Sequence, residues 1–129
     1  MKEIDITTGK RTEFIDCFGI ISEVVREWDM TAGVITVFVP HTTAGITINE
    51  NADPDVMADM TDILDNLIAW RNGYRHAEGN TAAHVKASMM GSSVQLIVEN
   101  GEICRGIWQG VYFCEFDGPR QRKLWVSKS

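Results

Sequence analysis

The sequence predicts an α+β domain whose strands pair mainly in antiparallel fashion. Three observations lead to this prediction. Several short segments have the alternating or β-branched pattern of strands, two or three longer segments have helical spacing, and an Asn-Gly pair joins two strand segments in the last third. The predicted order, β-α-β-β-α-α-β-β-β, lacks the regular strand-helix alternation of a parallel sheet. The 129 residues suit one domain, which we place over residues 1–129.

The first half of the chain contains three predicted strands and one helix. Residues 2–7 alternate apolar and polar side chains, as an edge strand does. Apolar residues recur at helical spacing over 16–28, and Asp16 is a suitable N-cap for that helix. The β-branched run 34–39 and the short segment 45–50 are the next two strands.

The middle of the chain is predicted to be helical, with one polar loop. Asp53 followed by Pro54 is a typical helix start, because an acid caps the first turn and proline fits its first position. That helix should run to about residue 70 with one apolar stripe. Residues 71–80 read as a loop, and Asn80 or Thr81 should begin a shorter helix that ends near Met90. The stripe consists of Val56, Met57, Met60, Ile63, Leu64, Leu67 and Ile68.

The last third is predicted to be β structure. Strand 93–98 should turn at Asn100-Gly101 into the segment 101–116, and 122–127 should form a closing strand. If Trp108 and Gln109 lie in a strand, their side chains face opposite sides, and we expect Trp108 in the core. Gln109 would then be a surface residue or a ligand contact.

Composition limits the classes of function. The net charge of −6 and pI near 4.9 argue against a nucleic-acid-binding surface. Three cysteines without a CxxC pair indicate reduced thiols, and we interpret Cys104 and Cys114 as strand or core residues. The N-terminal segment lacks an apolar signal core, and no apolar run approaches the ~20 residues that span a bilayer. We therefore expect a cytoplasmic protein that does not associate with membranes.

The three histidines are the first candidates for chemistry. His41, His76 and His84 all lie near predicted element ends, where functional sites tend to gather. They could converge on zinc or a similar cation, or act as acid-base groups with Glu50 as an orienting partner. They could also be three unrelated histidines, and spacing alone favours that interpretation because no metal-ligand spacing is present.

Other polar side chains could bind a ligand. Hydroxyl groups can hold a phosphate, lysine and arginine can neutralise it, and amides can orient it. Arg120 belongs to the only dense basic patch of this acidic chain, while Ser88 follows His84 by four positions and so shares its helix face. Solvated turns and polar helix faces explain such residues equally well. The candidates are Thr42, Thr43, Asn49, Asn80, Lys86, Ser88, Gln109 and Arg120.

Three long segments together resemble one known family. They are HTTAGITINENADPDV (41–56), YRHAEGNTAAHVKASMMGSS (74–93) and VENGEICRGIWQGVYFCEFDGPRQR (98–122). In this order and spacing they resemble the YjbQ family of small bacterial and archaeal proteins, over nearly the whole chain. One departure is Ile107, where the family signature Gly-Thr-Trp-Gln has threonine.

The resemblance implies a compact, β-sandwich-like α+β fold that assembles as a homotrimer. It also implies a weak thiamine phosphate synthase activity and a site at the three histidine-containing segments. The expected function is therefore a transferase that joins a pyrimidine pyrophosphate to a thiazole phosphate, with a divalent metal (Zn or Mg) and a small phosphorylated metabolite as ligands. The alternatives are a metal-assisted hydrolase and a non-catalytic binding module. The implied site residues are His41, Thr42, Thr43, Asn49, Glu50, His76, Asn80, His84 and Ser88.

Overall fold

The computed structural model describes all residues 1–129 and contains eight strands and three helices. This confirms the predicted α+β class. In chain order the elements are β1 (Lys2–Thr7), β2 (Glu13–Asp16), α1 (Phe18–Glu27), β3 (Gly33–Phe38), β4 (Ala44–Glu50), α2 (Pro54–Leu67), α3 (Thr81–Met90), β5 (Ser93–Glu99), β6 (Glu102–Ile103), β7 (Gln109–Glu115) and β8 (Gln121–Lys128).

The strands form two sheets in which every pairing is antiparallel. The larger sheet has the order β1-β8-β3-β5-β6, and the smaller sheet has the order β2-β7-β4. A cluster of 17 buried apolar residues includes side chains from both sheets and from α1. The core is therefore β-sandwich-like, because the two sheets pack their apolar side chains into one shared interior.

The smaller sheet is covered on both faces. Along β7, Val111 and Phe113 belong to the main core, whereas Tyr112 and Cys114 belong to a second cluster that includes Ala83 of α3. Successive side chains of a strand point to opposite faces, so β7 needs apolar cover on each side. The resulting continuous burial explains why this strand lacks the simple alternation of a half-exposed one.

The starts of the helices agree with the sequence in outline. Asp53 is the N-cap of α2, and its Oδ1 accepts the backbone N–H of Asp55 at 2.9 Å. For α1 the N-cap is Cys17 rather than the predicted Asp16, although Asp16 Oδ1 still accepts the N–H of Phe18 at 3.0 Å. A short acid side chain one position earlier can therefore satisfy the same kind of free backbone donor.

The apolar stripe of α2 is mostly not buried within the chain. The helix ends at Leu67, earlier than the predicted residue 70, and Leu64 is its only buried residue. Ile63 is 56% exposed and Leu67 is 69% exposed. The stripe is thus an amphipathic face that this chain covers only in part, since its other four residues are half-buried.

The prediction for the segment 101–116 was partly wrong. The turn at Asn100-Gly101 is confirmed, and both residues have positive φ, 52° and 78°. The segment then breaks into β6, an irregular stretch and β7, so strand alternation does not apply to Trp108, which is 59% exposed. Cys104 is also exposed and lies outside any strand, which corrects its assignment to the core.

Short strands were the elements that sequence patterns missed. β2 has four residues and β6 has two, too few to display a period-two pattern. The longest helix, α2, has 14 residues, and none of the three helices has the length and apolar composition of a membrane span.

Candidate functional site

An open cavity of about 690 Å³ lies where the two sheets meet α3. Its walls come from the end of β3, the segment that leads into β4, the loop before α3, the first turn of α3 and the turn before β8. Its volume falls in the ~300–1,000 Å³ range of small-molecule sites. Its polar lining consists of His41, Thr42, Thr43, His76, Glu78, Asn80, His84, Ser92, Arg120 and Arg122.

The segment between β3 and β4 brings the first histidine to this cavity. β3 belongs to the larger sheet and β4 to the smaller one, so the linking residues cross from one sheet to the other. His41 Nε2 accepts the backbone N–H of Lys123 in β8 at 2.8 Å. Burial lowers the pKa of His41 below its ordinary value, and the positive charge of Arg122 lowers it further, partly opposed by Glu115.

The other two histidines lie next to each other in the lining of the cavity. The rings of His76 and His84 are 5.4 Å apart between centroids and meet edge to face at 83°. His76 comes from the loop before α3 and His84 from the first turns of α3. The structure therefore brings all three predicted histidines to one cavity, which spacing in the sequence did not favour.

A buried ion pair supports the cavity floor. Arg122 donates from Nε to Glu115 Oε1 at 2.9 Å and from Nη2 to Thr43 Oγ1 at 2.8 Å, and Nη2 also donates to Glu115 Oε2. Glu115 Oε1 accepts the Thr8 hydroxyl at 2.7 Å. The side chains of Arg122 and Glu115 are 3% and 0% exposed, so the two charges are stabilised by each other and by their hydrogen bonds rather than by water.

A second polar group borders the cavity at the turn before β8. Asp117 Oδ2 accepts from Asn80 Nδ2 at 2.8 Å and from Arg120 Nη2 at 3.0 Å. Because a carboxylate can only accept, the amide nitrogen of Asn80 must face Asp117. Its Oδ1 is then buried without a donor. An unpaired buried acceptor is unfavourable, so Asn80 is held in this orientation at a cost.

Several predicted site residues do not lie at the cavity. Asn49 and Glu50 end β4 and pair with Gly110 and Gln109 of β7. That end lies about 20 Å along β4 from Thr43, at roughly 3.3 Å per residue. Gln109 Oε1 is bonded locally to the N–H of Gly106 at 2.7 Å.

Two predicted residues of α3 also differ in position. Lys86 is buried in an ion pair with Asp65 of α2, so it ties the two helices together and does not reach the cavity. Ser88 lines a neighbouring depression shared with His41, Thr42 and His84, and its hydroxyl donates to the carbonyl of His84 at 2.9 Å. Helical spacing correctly placed Ser88 beside His84, but it could not show that Lys86 lies on the face of α3 that packs inward.

The predicted three-histidine metal site is not formed by this chain. No three or more His, Cys, Asp or Glu side chains are arranged to hold a metal ion. The Nε2 of His41 is already taken by the Lys123 N–H. The residues present therefore do not fit a metal held by all three histidines, and we derive no reaction step through such a metal.

Arg122 and Glu115 are site residues that sequence reasoning did not select. Arg122, Leu124 and Val126 are buried at alternate positions of β8. An arginine that alternates with the apolar residues of a strand predicts a buried guanidinium, which needs an acidic partner. The sequence could have indicated Arg122 in this way. Glu115 gives no such signal, since β7 is buried on both faces.

The buried thiols do not contribute a nucleophile. Burial, with a smaller effect of the Asp16 charge, raises the pKa of Cys17 to about 12. Burial also raises the pKa of Cys114, which confirms its interpretation as a core residue. A thiol with a raised pKa is rarely a thiolate at neutral pH.

Fold and cavity together define a two-sheet α+β protein with an open site of histidine, arginine and hydroxyl side chains. The family model described as UPF0047 protein YjbQ-like matches residues 2–129, so the chain belongs to that family. The resemblance seen in the three sequence segments is thereby confirmed.

Relatives and solved structures agree with this membership over nearly the whole chain. The chain is 50% identical to UPF0047 protein YugU of Bacillus subtilis, covering 98% of this chain and 96% of the relative. It is 46% identical to UPF0047 protein MJ1081 of Methanocaldococcus jannaschii, covering 94% and 88%. A crystal structure of a YjbQ/UPF0047 family protein from Clostridium acetobutylicum has a TM-score of 0.97 at 50% identity and full coverage of both chains.

Proposed function

We propose that the cavity binds a phosphorylated small metabolite, and that the protein is a thiamine-phosphate-synthase-type transferase. The observation that carries this proposal is the concentration of two arginines and three histidines in one cavity of a chain with net charge −6. Guanidinium and imidazole N–H groups that face one open cavity can donate to an anionic ligand, although each arginine is also paired with an acid and Glu78 lines the same cavity. The thiamine-type reaction comes from the family resemblance.

The proposed reaction exchanges one bond for another. The ring nitrogen of the thiazole phosphate forms a C–N bond to the methylene carbon of the pyrimidine, and the C–O bond to pyrophosphate breaks with its electron pair on the departing oxygen. Such a step needs positive charge beside the leaving pyrophosphate, because its negative charge increases as the bond breaks. Arg120 supplies this positive charge, because its side chain lines the cavity and is 48% exposed even though it also donates to Asp117. Lys86 is buried in its pair with Asp65 and does not line the cavity. His76 and His84, which line the same cavity, also bind the anion.

The decisive assay supplies both organic substrates with magnesium. We expect thiamine phosphate and pyrophosphate to form in equal amounts, and Arg120→Gln to lower turnover tenfold or more because a charged hydrogen bond to the leaving group is lost. Product chromatography and pyrophosphate release measure the two products. Arg26→Gln, which removes the same charge outside this cavity, should retain wild-type turnover.

The same assay separates the competing functions. Release of phosphate or pyrophosphate without the thiazole substrate would identify a hydrolase. Thermal stabilisation by the substrates without any product would identify a binding module. Either result would contradict the proposed transferase.

We also propose that the chain forms a homotrimer through its uncovered helical face. Ile63 and Leu67, which share one face of α2, are 56% and 69% exposed, which is unusual for two large apolar side chains on one helix face. A second copy is the partner that the resemblance implies, and its helices would cover this surface.

We expect Leu67→Lys to reduce the size of the assembly. A charge at a 69% exposed position leaves the single-chain fold intact but is unfavourable inside an apolar contact. Light scattering after size exclusion should give three chains for the wild type and fewer for the variant. Ile20→Lys, on the partly exposed face of α1, should leave the mass unchanged. A monomeric wild type would refute the trimer.

A further inference from the structure

The ring of His41 completes the hydrogen bonding of a strand edge. β3 pairs with β8 as far as Phe38 opposite Trp125 and then leaves the sheet. The N–H of Lys123, two residues beyond Trp125 on the same edge, would have no strand partner there. His41 Nε2 accepts it at 2.8 Å.

This contact fixes where the imidazole carries its proton. A ring nitrogen that accepts a hydrogen bond is unprotonated, so the proton of neutral His41 is on Nδ1. Burial and the nearby charge of Arg122 both lower the pKa of His41, and Arg120 acts in the same direction, while Glu115 opposes them. The neutral ring with an Nδ1–H group is therefore the favoured form.

Arg122 offers one further donor that is equally fixed. Its Nε and Nη2 are occupied by Glu115 and Thr43, whereas Nη1 forms no hydrogen bond. Nη1 is not sealed inside the protein, because Asn80 Oδ1 is the only buried side-chain nitrogen or oxygen without a partner. Arg122 lines the cavity, so Nη1 is the part of its guanidinium left for a ligand.

We propose that His41, as a neutral Nδ1–H donor, and Arg122, through Nη1, form the anion-binding subsite that holds a phosphoryl group of the ligand. His41 is thus a binding residue and neither a base nor a metal ligand. This assignment rests on the proposed function, since it requires a phosphorylated ligand in the cavity. Donors that are already oriented need little reorganisation when the anion arrives.

Two substitutions separate the two nitrogens of His41. Asparagine can place an amide N–H near the position of Nδ1, whereas glutamine can place its carbonyl oxygen near Nε2, where it would accept from Lys123. Calorimetry with inorganic pyrophosphate is the probe. We expect His41→Asn to stay within about threefold of wild-type affinity, and His41→Gln and His41→Ala to lose tenfold or more, the effect of removing a hydrogen bond to a charged group.

The outcomes distinguish this assignment from the function on which it rests. Wild-type protein that fails to bind pyrophosphate overturns both. If the wild type binds pyrophosphate and His41→Asn and His41→Gln lose affinity equally, or neither loses it, only the donor role is overturned. The donor role is also overturned if His41→Gln alone keeps its affinity. Long-range ¹H–¹⁵N spectra of ligand-free protein give a separate readout, and a protonated Nε2 at neutral pH also overturns it.

Discussion

Replacing Glu115 by glutamine is expected to destabilise the fold by about 3 kcal/mol or more, the loss seen when one partner of a buried ion pair is removed. Glutamine keeps the shape and one acceptor oxygen, but it leaves the Arg122 charge in a site that is 3% exposed. The thermal midpoint should fall by on the order of 10 °C for a domain of this size. Denaturant titration at fixed protein concentration measures the change.

Two variants test the cause of this loss. Glu27→Gln breaks the exposed Lys2–Glu27 pair and should cost about 1 kcal/mol or less. Glu115→Gln combined with Arg122→Met removes both charges and should be less destabilised than the sum of the two single variants. A Glu115→Gln variant as stable as the wild type would show that this network contributes nothing to stability.

The same pair predicts how stability depends on pH. Burial alone would raise the pKa of Glu115, but hydrogen bonds from Arg122, Thr8 and the Asp117 backbone outweigh it and hold the pKa below its ordinary value. A carboxyl group with a lowered folded-state pKa stabilises the protein above its unfolded value of about 4.3, and that stability is lost as pH falls through the folded value. The difference between wild type and Glu115→Gln should therefore be constant near neutral pH and shrink in acid.

Replacing Gly45 by alanine is expected to cost about 1–3 kcal/mol and to weaken pyrophosphate binding. A Cβ at this position of β4 would lie 2.7 Å from the Gly91 carbonyl oxygen and 3.2 Å from that of Ala87, both at the end of α3. The Gly91 oxygen already accepts the N–H of Ile46 at 3.0 Å, so it cannot yield without breaking that bond. α3 must therefore move, and it carries His84.

The matched control is the same substitution in open space. Gly19 lies in α1, and a Cβ there meets nothing within 4 Å. Gly19→Ala should leave stability unchanged or raise it by up to about 1 kcal/mol, because alanine favours the helix. Opposite signs for the two variants support close packing of α3 on β4. A neutral Gly45→Ala would mean that this contact is not tight.

Local patterns in the sequence were sufficient for most of the secondary structure. Asp53-Pro54 marks the start of α2, and Asn100-Gly101 marks the hairpin after β5, because each pair has a local conformational reason. The prediction that Trp108 lies in the core was wrong, because strand alternation does not hold in the irregular stretch between β6 and β7. The class of fold and the family could be predicted in this way.

The composition of the cavity depended on tertiary structure. The motif from His41 to Glu50 looks continuous in sequence, yet β4 carries its two ends far apart, so His41 and Thr43 reach the cavity and Asn49 and Glu50 do not. Periodicity shows which face of a strand is buried, but not which strand lies beside it. The His41–Lys123 contact joins residues 82 positions apart, and the Arg122–Thr43 contact joins residues 79 apart. Only the order of strands in the two sheets could bring them together, because these contacts have no signal in the local sequence.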